Sequence, residues 1–134
     1  MSRARAEMIE DTRARLIASA RQAFATHGYA QTSMDDFTAR AGLTRGALYH
    51  HFGDKKGLLA AVVAQLDGEM DASLHRISEQ ADTPWDGFCE RCRAYLRMAQ
   101  DAEIQRIVLQ DAPAVLGATD QQHVWIRCAA YLMT

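Results

Sequence analysis

The sequence is poor in the features that define whole classes of protein. It has only 3 cysteines in 134 residues, too few and unevenly placed for a disulfide-stapled secreted scaffold. No run of about 18 apolar residues appears, which argues against a membrane span. The opening residues, Met1, Ser2, Arg3, Ala4 and Arg5, lead into charge and not into an apolar signal region, so a cytoplasmic protein is expected. Alternation of apolar and polar residues at a period of two is missing, as are internal repeats and low-complexity tracts. There are only 2 prolines, Pro84 suited to the first position of a helix and Pro113 near an expected helix break. No nucleophile elbow, P-loop, dinucleotide fingerprint or metal-ligand cluster is present. Asp35 and Asp36 are adjacent, so on a helix they point about 100° apart and cannot act as an acid/base pair. No enzyme activity, cofactor or metal is expected.

What is present is helical patterning in a chain long enough for one hydrophobic core. Ile9, Arg13, Leu16, Ile17, Ala20, Ala23 and Phe24 follow the i, i+3, i+4, i+7 rule of an amphipathic helix, with Arg13 its one polar lapse. That helix should stop near His27, with Gly28 in the left-handed position beyond it. Ser33, followed by Asp36, resembles a capping box with Asp in place of the usual Glu. The helix it starts is short, because Gly42 follows Ala41. Thr44 caps a second short helix through Phe52, and Gly53 and Asp54 break and recap the chain. A long helix follows, with a stripe of Leu58, Leu59, Val62, Val63, Leu66, Met70, Leu74 and Ile77. Thr83 and Pro84 begin another, whose expected buried side is Trp85, Phe88, Cys92, Tyr95, Leu96 and Ala99. Residues 103–110 form a further helical segment expected to break near Pro113. Helical patterning weakens after Gly117, although residues 124–132 can also coil. The fold class is all-α.

Charge is uneven along the chain. Residues 1–60 hold 9 Lys/Arg against 6 Asp/Glu, a balance of +3, and residues 61–134 hold 6 against 11, a balance of −5. A basic N-terminal head on an acidic body fits a nucleic-acid-binding protein; ordinary surface scatter is the plainer alternative. Cys89 and Cys92 form a C-x-x-C pair, but without a βαβ context or a second Cys or His pair they read as structural thiols one helical turn apart. The adjacent His50 and His51 lack the i, i+4 spacing of a paired-histidine metal site.

The segment with the most functional content is residues 32–59, a short helix, a glycine turn, a second short helix and a long one. In a helix-turn-helix the first short helix braces the second, which buries one face and offers the other to the major groove. Ala47, Leu48 and Phe52 supply the inner face here, leaving Arg45, Gly46, Tyr49 and His50 outside. Arg45 can donate two hydrogen bonds to a guanine edge, Tyr49 can reach a phosphate or a thymine methyl, and Gly46 lets backbone approach closely. Lys55 and Lys56 open the next helix, where their charge opposes the helix dipole, a cost that phosphate binding would explain. Trp85, Phe88, Tyr95 and Met98 can line a ligand cavity, although such an aromatic stripe is more often simple core.

These residues also match a family pattern. The run TSMDDFTARAGLTRGALYHHFGDKKGLL at 32–59 closely resembles the DNA-binding region of the TetR/AcrR repressors, with Phe37 and Thr38 where that family usually has Ile-Ala. A weaker resemblance runs through IQRIVLQDAPAVLG at 104–117, like a ligand-domain helix that breaks at a proline, so that the likeness covers roughly residues 8–117. The resemblance implies a three-helix head over residues 1–53, joined by a long helix to a helical ligand and dimerisation body over 54–134. It implies that Thr32 or Ser33, Tyr49 and Lys55 touch phosphates while Arg45, Gly46 and His50 face base edges, with Thr44 beside them at the DNA. The implied partners are double-stranded operator DNA, a small-molecule effector and a second copy of the chain. From Ala118 the sequence departs from the pattern, through divergence, truncation or a change of reading frame. The rival reading is a shortened helical interaction protein that pairs with a full-length relative and binds no DNA alone.

Overall fold

The computed structural model describes residues 2–117, and every described element is helical. In chain order these are α1 (Ser2–His27), α2 (Met34–Ala41), α3 (Arg45–Phe52), α4 (Lys55–Gln80), α5 (Pro84–Met98) and α6 (Ala102–Ile104). A π-helical segment (Gln105–Asp111) and α7 (Ala112–Leu116) follow. The chain divides into two compact units, Met1–Val62 and Val63–Thr134, so the first unit reaches into the opening turns of α4. Among the described residues no helix is long and apolar enough to cross a membrane.

The core of the first unit follows the sequence stripe closely. Leu16, Ile17, Ala20, Ala23 and Phe24 of α1 are buried with Phe37, Leu48, Leu58, Leu59 and Val62. Each large side chain removed from water in this way stabilises the fold by about 1.5–3 kcal/mol. Ile9 departs from the expectation: at 47% exposure it belongs to the first turns of α1, before the buried stripe begins at Leu16. The break after α1 is as read, with Gly28 at φ 80°. Phe37 is fully buried, and the Thr38 hydroxyl beside it donates to the Met34 and Asp35 carbonyls at 2.9 and 3.0 Å. The Phe-Thr pair therefore fits without an orphaned buried hydroxyl.

In the second unit Leu66, Met70 and Leu74 of α4 are buried, along with Ala94, Ile107, Val108 and Ala112. Val63 and Ile77 are only half-buried. Helix α5 begins as its sequence dictates: Thr83 Oγ1 accepts from the Asp86 amide at 3.1 Å, with Pro84 in the first turn. Its buried side is not the aromatic stripe. Gly87 and Ala94 face inward, whereas Trp85 and Leu96 are 69% and 66% exposed and Cys92 is exposed. Close approach explains the choice, since a Cβ on Gly87 would stand 3.4 Å from the Ala81 Cβ and 3.7 Å from the Ser78 Cα. At 100° per residue, positions 87 and 94 share one side of the helix and 85, 92 and 96 lie on the other. Small residues set the packing face, and the larger apolar ones remain outside it among the described residues.

The expected break at Pro113 takes a different form. Helical winding continues through the proline, which sits in the first turn of α7. Ahead of it the turn widens, with the Ala112 amide bonding back five residues to the Ile107 carbonyl. Proline lacks an amide hydrogen and its ring crowds the carbonyl four residues earlier, here that of Leu109; the wider π turn relieves that crowding. Arg106 and Asp111, five apart, meet across it at 3.3 Å.

Candidate nucleic-acid interface

The short helices that form the motif are held at nearly every backbone end. Ser33 Oγ accepts from the Asp36 amide at 3.4 Å to start α2. At the other end Gly42 takes the left-handed conformation, φ 67° and ψ 30°, its amide bonding to Ala39 and the Leu43 amide to Thr38. This 6→1 and 5→2 pairing is a Schellman stop, and a glycine adopts it without the Cβ penalty. Helix α1 braces the same turn: Arg15 Nη2 donates to the Ala41 carbonyl at 2.9 Å, and Ser19 Oγ donates to the Phe37 carbonyl at 3.0 Å. Thr44 Oγ1 then accepts from the Ala47 amide at 3.1 Å to start α3. Asp54 Oδ1 accepts from the Gly57 amide at 2.6 Å to start α4. Each cap satisfies an amide that the helix itself cannot.

This framework sets the faces of α3. Leu48 is fully buried, with Ala47, His51 and Phe52 half-buried, while Arg45, Gly46, Tyr49 and His50 are exposed. The four α3 residues among those assigned to DNA contact from the sequence thus share the open side of that helix. His51 turns inward beside Phe52, with ring centroids 6.0 Å apart, and leaves His50 as the outward histidine of the pair.

Arg45 does not extend freely. Its Nε lies 3.3 Å from Asp35 Oδ1 on α2, and its Nη2 faces the Tyr49 hydroxyl at 3.4 Å. The hydrogen bond with Tyr49, followed by the charge of Asp35, raises the pKa of the guanidinium. Arg45 therefore stays cationic across the accessible range. Asp35, which the sequence marks only as unable to pair with Asp36 in acid/base work, reaches across to the neighbouring helix. The only hint of this in the sequence was opposite charge in the first turns of two helices joined by a tight turn.

The flanking residues divide into two kinds. Ser33 and Thr44 are exposed caps at the mouth of the motif. Thr32 is only 6% exposed, and its hydroxyl points at the Gly28 carbonyl at 2.7 Å and the Ala23 carbonyl at 3.3 Å. That hydroxyl ties the loop to α1, so of the pair Thr32 and Ser33 only Ser33 has its side chain at the surface. Lys55 is half-buried with Nζ 4.3 Å from the Tyr29 ring centroid, a cation–π contact, whereas Lys56 is exposed. Tyr29 packs against Phe24 at 5.6 Å. Burial, reinforced by the charge of Asp54, raises its phenol above the usual value of 10.0. Arg13, the polar lapse in the α1 stripe, places its guanidinium 4.9 Å from the Phe52 ring centroid.

No capping or turn pattern in the sequence marks Gly57. A Cβ there would overlap the Phe52 carbonyl, so the crossing from α3 into α4 depends on a missing side chain. Gly46 is different, because its nearest neighbour would be the Thr44 hydroxyl at an ordinary 3.7 Å. In the second unit Trp85 and Phe88 touch, with centroids 5.6 Å apart, and Tyr95 and Met98 are half-buried further along α5. Among the described residues no group of three or more His, Cys, Asp or Glu can hold a metal ion.

Comparison with known proteins places this arrangement. Residues 16–62 match the family model for bacterial regulatory proteins of the tetR family, and residues 85–133 match the tetracyclin repressor-like C-terminal domain. The second match corrects the expectation that family likeness ends near residue 117. The transcriptional regulator TtgR of Pseudomonas putida is 36% identical over 110 residues, covering 80% of this chain and 52% of TtgR. The repressor AcnR of Corynebacterium glutamicum is 35% identical over 65 residues, covering 48% of this chain and 35% of AcnR. The chain thus spans about half the length of TtgR. Among solved structures, a TetR-family regulator from Pectobacterium atrosepticum superposes with a TM-score of 0.79 at 59% identity, covering 95% of this chain and 69% of that one. A second, from Mesorhizobium loti, shares the fold with a TM-score of 0.69 at 21% identity, covering 90% and 61%.

Proposed function

Because the chain belongs to the tetR family of bacterial regulatory proteins, we propose that it is a transcriptional repressor that seats α3 in the major groove of operator DNA. The observation that carries this reading is the grouping of Arg45, Gly46, Tyr49 and His50 on the exposed side of a helix capped at both ends, with the turn that leads into it braced by α1. Arg45 and His50 read base edges, and Gly46 brings the α3 backbone close to the groove. Tyr49, Ser33, Thr44 and Lys55 hold phosphates. Thr32 supports Ser33 by fixing the loop before it. In this reading residues 1–53 are the head and 54–134 the regulatory body.

Two copies would place two recognition helices in successive grooves, on a near-palindromic operator with half-sites about one helical turn or slightly more apart. A small-molecule effector would act by favouring a spacing of the heads that no longer fits the DNA, a population shift. The side of α5 carrying Phe88, Tyr95 and Met98, with Trp85 at its rim, is the proposed effector surface. The repressor named among the relatives supports the direction of regulation.

Fluorescence anisotropy tests the reading directly, using the 134-residue chain, DNA from upstream of its own gene, a shuffled duplex and a salt series. Tight binding to the native fragment alone, weakening steeply with salt, is the expected outcome. Equal weak binding to both duplexes would refute specific recognition and favour the rival interaction protein.

A further inference from the structure

The Asp35–Arg45 bridge adds a residue to the recognition machinery that does not itself need to touch DNA. An arginine reads guanine best when both terminal nitrogens meet O6 and N7 together, which demands a fixed guanidinium plane. A side chain on the open face of a short helix has many rotamers, and fixing one on binding costs entropy. Here the plane is held before any DNA arrives. The Nε hydrogen faces Asp35 Oδ1 at 3.3 Å and one Nη2 hydrogen faces the Tyr49 hydroxyl at 3.4 Å. Of the five N–H groups of a guanidinium, this leaves one on Nη2 and both on Nη1, enough for a bidentate contact.

A carboxylate in this place is otherwise unfavourable. Asp35 is exposed and lies against Arg45, the proposed base reader, so beside DNA its charge repels a duplex of any sequence. Asp36, next to it, makes no ion pair with Arg45 and supplies the matched control for that charge.

We propose that Asp35 is a positioning residue for sequence reading: it anchors Arg45 through Nε and leaves the outer edge of the guanidinium aimed at a guanine. The proposal rests on the assignment of Arg45 as a base reader. It separates affinity from specificity. Removing Asp35 deletes a repulsive charge and strengthens binding to arbitrary DNA, yet frees Arg45 to swing toward phosphates and weakens discrimination.

The test begins with selection from a randomised duplex library by the 134-residue chain, which supplies a preferred duplex and its base preferences. Affinities for that duplex and a shuffled one are then measured for the wild type, Asp35→Ala, Asp36→Ala, Arg45→Ala and the Asp35→Ala/Arg45→Ala double variant. Circular dichroism confirms that each is folded. Arg45→Ala should lower the preferred-to-shuffled ratio by at least about fivefold and erase one guanine preference. Asp35→Ala should lower the ratio by about threefold or more without weakening the shuffled duplex, Asp36→Ala should leave the ratio unchanged, and the double variant should match Arg45→Ala. Equal strengthening of both duplexes by Asp35→Ala would reduce Asp35 to a bulk charge and overturn the proposal. An unchanged ratio in Arg45→Ala would instead remove the base-reading assignment on which it stands.

Discussion

Arg15 of α1 and Ala41 at the end of α2 are joined by a 2.9 Å hydrogen bond from the guanidinium to the backbone carbonyl. It satisfies a carbonyl that the helix end leaves open, at the residue before the turn into α3. Arg15→Ala should destabilise the fold by about 1 kcal/mol in urea unfolding with an unchanged m-value. Amide exchange at Gly42 and Leu43 should accelerate more than at Leu16 or Phe24. A uniform acceleration would show that the bond supports the whole fold and not this turn in particular.

Gly46→Ala separates folding from recognition. The site has room for a methyl group, and alanine is the better helix former, so stability should rise by about 0.5–1 kcal/mol. DNA affinity should fall, because the methyl stands where the α3 backbone is proposed to approach the groove. Unchanged affinity in a stabilised variant would remove Gly46 from the interface.

The opposite result is expected at Gly57. A Cβ there overlaps backbone and not the yielding end of a side chain. Gly57→Ala must therefore shift α3 against α4, at a cost of roughly 1–3 kcal/mol. Full wild-type stability in thermal and urea unfolding would contradict the close crossing.

Tyr29 predicts how the protein responds to alkali. Its folded-state pKa is raised by burial and by Asp54, so the folded protein holds this proton more tightly than the unfolded chain does. That stabilisation is complete below the usual value of 10.0 and is lost as pH rises through the higher folded value. The difference in stability between wild type and Tyr29→Phe should therefore be flat below about pH 9 and shift against the wild type above it. A flat difference up to pH 11.5 would show that the phenol is not held neutral.

Much of this was legible in the sequence because helix ends are local events. Ser33, Thr44, Thr83, Gly28 and Gly42 act within three or four residues of themselves, and each caps or stops a helix where its chemistry requires. The outer face of α3 was legible for the same reason, since 3.6-residue periodicity and one buried Leu48 fix it. Long-range choices were not legible. Periodicity marks Trp85, Phe88, Cys92 and Leu96 as one stripe of α5 but cannot say that Gly87 and Ala94 will win the inward side by allowing closer approach. The Asp35 and Arg45 side chains meet only once the Gly42 turn has folded, and the need for glycine at 57 exists only because Phe52 ends α3 against it.

The π-helical segment also bears on how related chains can differ in length. An i→i+5 turn holds one residue more than an α-helical turn, and the Arg106–Asp111 pair spans that surplus. Deleting a single residue within 105–111 would let the segment rewind as ordinary helix, with Ile104 and Ala112 keeping nearly the same facing. Removing two would turn everything after the gap by about 100°. Evolutionary gaps between 104 and 112 should therefore come one residue at a time, and a chain that carries one should also have abandoned the five-residue spacing of its basic and acidic partners.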